Sequence, residues 1–270
     1  MAKRRISKRR YVRENLRLML SLSRSMRARL EDSFKYLASE ASKEYKLLGL
    51  VSRDYYDQYF DELYKIFSNQ ARIVIDRVNI NMKRDFDVKG DEIIVDNVET
   101  PIEPISPYTQ EYIQTETAQH VTQVTQTTKR QIQRAIEFSV SEGFGVVATA
   151  QVIEDSTAFS ATRAKLIART ETHSAMGYGA HMTAKTLNLK SPKKSWLSAN
   201  DARTRDWHKV MNTREPIPID DDFILNTPKA GGGSVPRPMS WTGDSRGGAL
   251  NVINCRCTTL YHDIDTILED

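Results

Sequence analysis

Asp201-Ala202-Arg203-Thr204-Arg205-Asp206-Trp207-His208 and, further on, Asn254-Cys255-Arg256-Cys257 are the two stretches whose reading decides the fold. Together with Trp196 and Gly243-Asp244 they gather residue types that specify a unique packing. All three tryptophans (Trp196, Trp207, Trp241) and both cysteines of the chain fall between Trp196 and Cys257. Around them, short apolar runs alternate with turn residues, as in Gly231-Gly232-Gly233-Ser234 with Pro236 and Pro238. That pattern predicts loops and short strands, with residues 239–262 read as strand pieces.

Outward toward the N-terminus the period changes. Ser160 caps a predicted helix over 161–187, which carries Ala168-Arg169-Thr170-Glu171 and the small-residue patch Ser174 to Ala180. Small side chains let a neighbouring element approach closely, so that side of the helix is expected to be buried. A short helix is predicted over 146–154. A long one follows Ser106-Pro107, with proline at its first position, and runs to about residue 142. Its Thr- and Gln-rich middle is a mediocre helix former, which points to tertiary or subunit contacts and to a spacer in an assembly. Residues 92–98 read as a short strand, and Pro101, Pro104 and Pro107 as a linker. Before them lie two helices. Val12, Leu16, Met19, Met26, Leu30, Phe34, Leu37 and Ala41 step by three and four, and after Gly49 so do Tyr56, Tyr59, Phe60, Leu63, Phe67, Val74 and Val78. The expected class is therefore α+β: long N-terminal helices followed by a C-terminal α+β domain. The expected regions are 1–105, basic and helical; 106–190, helical; and 191–270, α+β with short strands.

The net charge of +4 is unevenly placed. Residues 1–30 hold eleven Lys and Arg against the single acid Glu14, a local +10, so residues 31–270 sum to −6. Arg4, Arg5, Arg9, Arg10, Arg13 and Arg17 read as a mobile basic arm and helix face for a polyanion, either nucleic acid or an acidic protein surface. The bland alternative is a solvated face on a packing helix. No apolar run reaches the roughly 20 residues of a membrane span, and the N-terminus lacks the apolar core of a signal peptide. Two cysteines one residue apart cannot be bridged without strain, so they are read as free thiols or metal ligands in a reducing compartment.

Taken in order, Ala168-Arg169-Thr170-Glu171, Trp196, Asp201 with Arg203-Thr204-Arg205 and His208, Gly243-Asp244 and Asn254-Cys255-Arg256-Cys257 form a series. It resembles the tailed-phage minor head protein family, the Mu F-like and SPP1 gp7-like head morphogenesis proteins, over about residues 110–262. The family often has a glycine after the histidine, where this chain has Asn212-Thr213. The resemblance implies a Mu F-like C-terminal domain in a phage virion protein. Such a protein stands in the head interior near the portal, after assembly in the host cytoplasm, and takes part in head morphogenesis and DNA delivery. Portal protein is the implied partner, with packaged DNA, scaffold and major capsid protein as further contacts and no membrane.

The chemistry can be weighed residue by residue. If residues 255–257 are extended, Cys255 and Cys257 point to one face. His208, joined by His262 or Asp201, would then complete a tetrahedral structural zinc site. The competing reading is two small buried hydrophobes beside a hydrogen-bonded histidine. Arg169, Glu171, Trp196, Asp201, Arg205 and Asp206 are expected to form a buried polar network that fixes the domain. No catalytic residue is assigned. An ADP-ribosyltransferase-like enzyme, the rival class, would need a strand-borne arginine, a Ser-Thr-Ser stretch and a Glu-x-Glu, and the sequence lacks the last two. A non-specific DNA-binding protein is the third reading.

Overall fold

The three-four apolar steps become two long helices in the computed structural model, which describes residues 5–86, 104–187, 189–263 and 266–269. They are α1 (Lys8–Leu48) and α2 (Arg53–Asp85). Gly49, at φ +71, supplies the left-handed backbone that ends α1, and its N–H bonds the Tyr45 carbonyl at 2.8 Å. After α2 come α3 (Pro107–Tyr112), a π turn (Ile113–Thr117), α4 (Ala118–Ser141), α5 (Val146–Glu154) and α6 (Ala161–Thr186). Ser106 and Ser160 cap as expected: their hydroxyls accept the N–H of Thr109 and Arg163, both at 3.2 Å. The expected strand at 92–98 and the prolines at 101 lie outside the described residues.

Residues 23–70 and 110–168 make one compact, all-helical unit. Met26, Leu30, Phe34, Leu37 and Ala41 from α1 meet Tyr59, Leu63 and Phe67 from α2, Val121 and Ile132 from α4, and Ile153 from α5. Phe34 stacks on Tyr59 at 6.4 Å and meets Phe159 edge-on at 6.3 Å. The threonine-rich helix is part of this core, which corrects the expectation of a spacer. Thr122, Thr127 and Thr128 donate back to carbonyls one turn earlier at 2.8–3.0 Å, satisfying their hydroxyls within the helix. Thr128 also receives Tyr59 Oη at 2.9 Å and Arg163 Nη1 at 2.8 Å.

Residues 1–22, 71–109 and 169–270 make the other unit, which is mixed. Its strands are β1 (Arg5–Ser7), β2 (Lys193–Leu197), β3 (Ile217–Pro218), β4 (Phe223–Pro228), β5 (Ser234–Met239), β6 (Thr258–His262) and β7 (Ile267–Glu269). β3-β2-β6 form an antiparallel sheet, β4 and β5 a hairpin, and β1 and β7 a parallel pair. The expected run of strand over 239–262 is broken by a 3-10 turn (Ser245–Gly247) and the short helix α8 (Ala249–Val252). Asp244 caps the turn through Arg246 N at 3.0 Å, and Gly248 at φ +74 lets the chain re-enter a helix at once. α7 (Asp206–Met211) completes the unit.

The small patch on α6 is buried as predicted. A Cβ on Gly177 would come within 2.1 Å of the Thr242 carbonyl oxygen, and one on Gly179 within 3.1 Å of Ile75 Cα. Ser174 Oγ donates to the Gly243 carbonyl at the same junction. In β4 the alternation places Phe223, Leu225 and Thr227 inside. They join Trp196, Met211, Met239, Val252, Cys255 and Cys257 in the core of this unit.

Candidate functional site

α7 carries His208 into that core, where it is 1% exposed. Its ring lies edge-on to Trp196 at 5.3 Å and to Trp207 at 5.9 Å, which fixes its plane. Asn251, from α8, sets its tautomer. The Asn251 amide donates to Thr227 Oγ1 at 2.6 Å and the Gly247 carbonyl at 2.9 Å. Its Oδ1 must therefore accept, from Trp207 Nε1 at 2.7 Å and from His208 Nε2 at 3.1 Å. With the proton on Nε2, His208 Nδ1 is left with a lone pair. That lone pair faces Cys257 Sγ at 3.4 Å and Cys255 Sγ at 3.6 Å.

The three ligand atoms lie within 4.8 Å of one another, and all three residues are buried. Residues 255–257 are not part of a strand, since β6 begins at Thr258, and Asn254, at φ +54, turns the chain just before the thiols. A hydrogen bond between the sulfurs pushes the Cys255 thiol down and the Cys257 thiol up. The Ala199 backbone N–H favours charge on the Cys257 sulfur. His262 and Asp201 do not join the cluster. His262 Nε2 pairs with Ser195 Oγ at 3.2 Å, and Asp201 is taken by Arg256.

The six residues read as one polar network divide. Arg256 grips Asp201 with both terminal nitrogens, Nη2 to Oδ1 at 2.7 Å. That bond first, helped by the Arg203 N–H and the Thr204 hydroxyl, holds the Asp201 carboxyl down at about 2. Arg169 is the neighbour of this group: burial, then Arg203 and Arg256, lower its guanidinium from the ordinary value, and its Nε has no hydrogen-bond partner. Arg205 donates instead to the Ile253 carbonyl at 2.8 Å. Asp206 is exposed and pairs with Lys209 at 3.0 Å, while Trp196 packs among apolar side chains. Glu171 is half-buried on α6. Asn251, Thr227 and His173 were missed. His173 Nε2 bonds the Cys257 carbonyl at 2.7 Å. Nothing in the sequence marks an asparagine or a threonine as a hub; only contact geometry does.

Asp220 pairs with Lys185 at 2.9 Å, and Asp222 with Arg246 at 2.9 Å. A very small cleft of about 10 Å³ adjoins the thiols, lined by Ala199, Arg203, Thr204, Arg205 and Asn254 besides the cluster itself.

Two further surfaces are made by other elements. Arg4 is outside the described residues. Arg5 is in β1 and pairs with Glu269 at 3.2 Å, and Arg9 and Arg10 are in the first turn of α1, so Arg5 to Arg10 form structure rather than a mobile arm. That turn has no acidic residue. Cations there oppose the helix dipole, which favours anions at an N-terminus. Arg9, Arg10, Arg13 and Arg17 are exposed, and Arg10 leans on Glu14 at 2.8 Å. In the helical unit, Phe138, Val140, Phe144, Val146 and Val147 are exposed around the turn between α4 and α5, Val147 to 73%.

No helix among the described residues is long and apolar enough to cross a membrane. No curated protein and no solved structure matches the chain. Residues 130–260 match the family model described as phage Mu protein F like protein.

Proposed function

We propose, from the match of residues 130–260 to the phage Mu protein F like family model, that this chain is a minor head protein of the phage head-morphogenesis family, at the portal vertex. The match over 130–260 carries the reading. Two surfaces support the finer parts of it. The apolar group around Phe138, Phe144 and Val147 is more than scattered surface apolarity and suits a protein partner, for which we propose the portal protein. The arginines of the first turns of α1 suit phosphates of packaged DNA, in contacts that are sequence-independent and salt-sensitive. Its place is then the head interior, where it takes part in DNA delivery, with scaffold and major capsid protein as further contacts. In this reading the chain is not an enzyme. Arg169, the arginine an ADP-ribosyltransferase would carry on a strand, is in the middle of α6.

The test is co-purification with the portal protein of the same genome, with and without Val147→Asp and Phe138→Ser, followed by imaging of the portal vertex. Retention by the wild type and loss by the variants is expected; no retention of the wild type overturns the portal assignment. DNA contact is tested by gel retardation at two salt concentrations. Removing residues 1–30 is unsuitable, because Met26 and Leu30 belong to a core. Arg9, Arg10, Arg13 and Arg17 should instead be changed to Gln together. Retardation that weakens with salt and is lost in the variant is expected; unchanged retardation assigns these arginines to a different partner.

A further inference from the structure

We propose that His208 Nδ1, Cys255 Sγ and Cys257 Sγ bind one zinc ion, which ties α7 to the chain before β6. On a tetrahedral zinc with a Zn–N distance of about 2.0 Å and Zn–S of about 2.3 Å, an imidazole nitrogen and a thiolate sulfur lie about 3.6 Å apart. The two distances here are 3.4 and 3.6 Å. An S–H···N hydrogen bond has a similar length, but one lone pair can serve only one such donor well, whereas both sulfurs converge on it here.

The surroundings agree with the spacing. A metal ligand histidine needs its other ring N–H held by an acceptor, which fixes the tautomer and the ring direction. Asn251 Oδ1 does this, and its own orientation is fixed by Trp207, Thr227 and Gly247. The donor set of two sulfurs and one imidazole selects a soft tetrahedral ion over magnesium or calcium. Charge balances as well. Binding displaces one proton from each thiol to solvent, and the two thiolates cancel the ion's two charges, so the site is neutral beside Arg203, Arg205 and Arg256. The fourth ligand would be a water at the adjoining cleft, whose volume of about 10 Å³ is the least that a water needs. The inference rests on the cluster alone and stands whether or not the portal assignment does.

The test uses the full chain, purified without a histidine tag and without chelator. Elemental mass spectrometry is expected to find about one zinc per chain, and cobalt in its place should give sulfur-to-cobalt charge-transfer bands. Cys255→Ser, Cys257→Ser and His208→Ala are each expected to lose the ion. Because these variants can also fail to fold, the wild type provides an independent reading. Zinc titrated into the chelator-treated chain should release about two protons per ion and raise the melting temperature. A folded wild type that holds no metal and releases no protons on titration overturns the proposal. So does a Cys255–Cys257 disulfide found by intact mass in the chain as purified.

Discussion

The helical unit and the mixed unit are held together in different ways. In the first, apolar side chains from five helices fill one interior, in which Tyr59 and Arg163 meet Thr128. In the second, short elements with little repeat of their own converge on a few groups that each make several directed contacts. Asn251 alone accepts two hydrogen bonds and donates two. Area burial tolerates exchange of one apolar residue for another of similar size, whereas a directed hub tolerates almost no change of shape or polarity. The first unit gains its stability from quantity, the second its uniqueness from placement.

Four measurements would break or sharpen that contrast. Phe34→Ala removes the ring that stacks on Tyr59 and abuts Phe159, and should cost about 4 kcal/mol in a urea titration; Phe34→Leu should cost much less. Asn251→Ala strands the Trp207 and His208 N–H groups and should cost about 3 kcal/mol, with Asn251→Asp giving little rescue because it cannot donate to Thr227 and Gly247. If Asn251→Ala is neutral, the hub is not what organises the mixed unit.

The third measurement separates the units by pH. His181 is buried against Tyr261 and Trp241, and burial first, then Lys194, hold its imidazole down at about 3. The unfolded chain takes up that proton below about 6.5 while the folded chain does not. Stability therefore falls as pH drops from about 6.5 toward 3, by about 3 kcal/mol by pH 4. At the alkaline end the sign reverses in the helical unit. Burial raises the Tyr55, Tyr56 and Tyr59 phenols, Tyr56 to about 12, so stability falls as pH rises above about 10. Tyr261 does the same in the mixed unit. All three tryptophans belong to the mixed unit. Acid should therefore move tryptophan fluorescence first, and His181→Phe should flatten that transition. Equal sensitivity of the variant and the wild type between pH 6.5 and 4 would remove His181 from the account. Smallest of all, Asp206→Ala should change stability by less than about 0.5 kcal/mol, since the pair with Lys209 is solvated.

What could be read from the chain follows the same division. Steps of three and four residues state which face of a helix is buried, so α1, α2, the caps at Ser106 and Ser160 and the close approach at Gly177 were legible. The fate of the threonines of α4 was not, because their hydroxyls close on their own helix and leave the buried face to a core that only assembly defines. In the mixed unit, convergence of His208 with both cysteines was legible from residue type. The strand itself starts later than expected, at Thr258, after both cysteines. Asp206 and Trp196 share the signature without sharing the polar contacts, because proximity in sequence order says nothing about which atoms meet. Basic residues were legible as a cluster, but their composition could not reveal that Arg5 would enter a strand.

That strand has a consequence for synthesis. Arg5–Ser7 pairs in parallel with Ile267–Glu269, partners at opposite extremes of the sequence. On the ribosome the first of these must wait for nearly everything else to be made. The all-helical unit, complete once residue 168 has emerged, has no such delay. Translation should therefore deliver a finished helical unit while β1 is still waiting for its last partner.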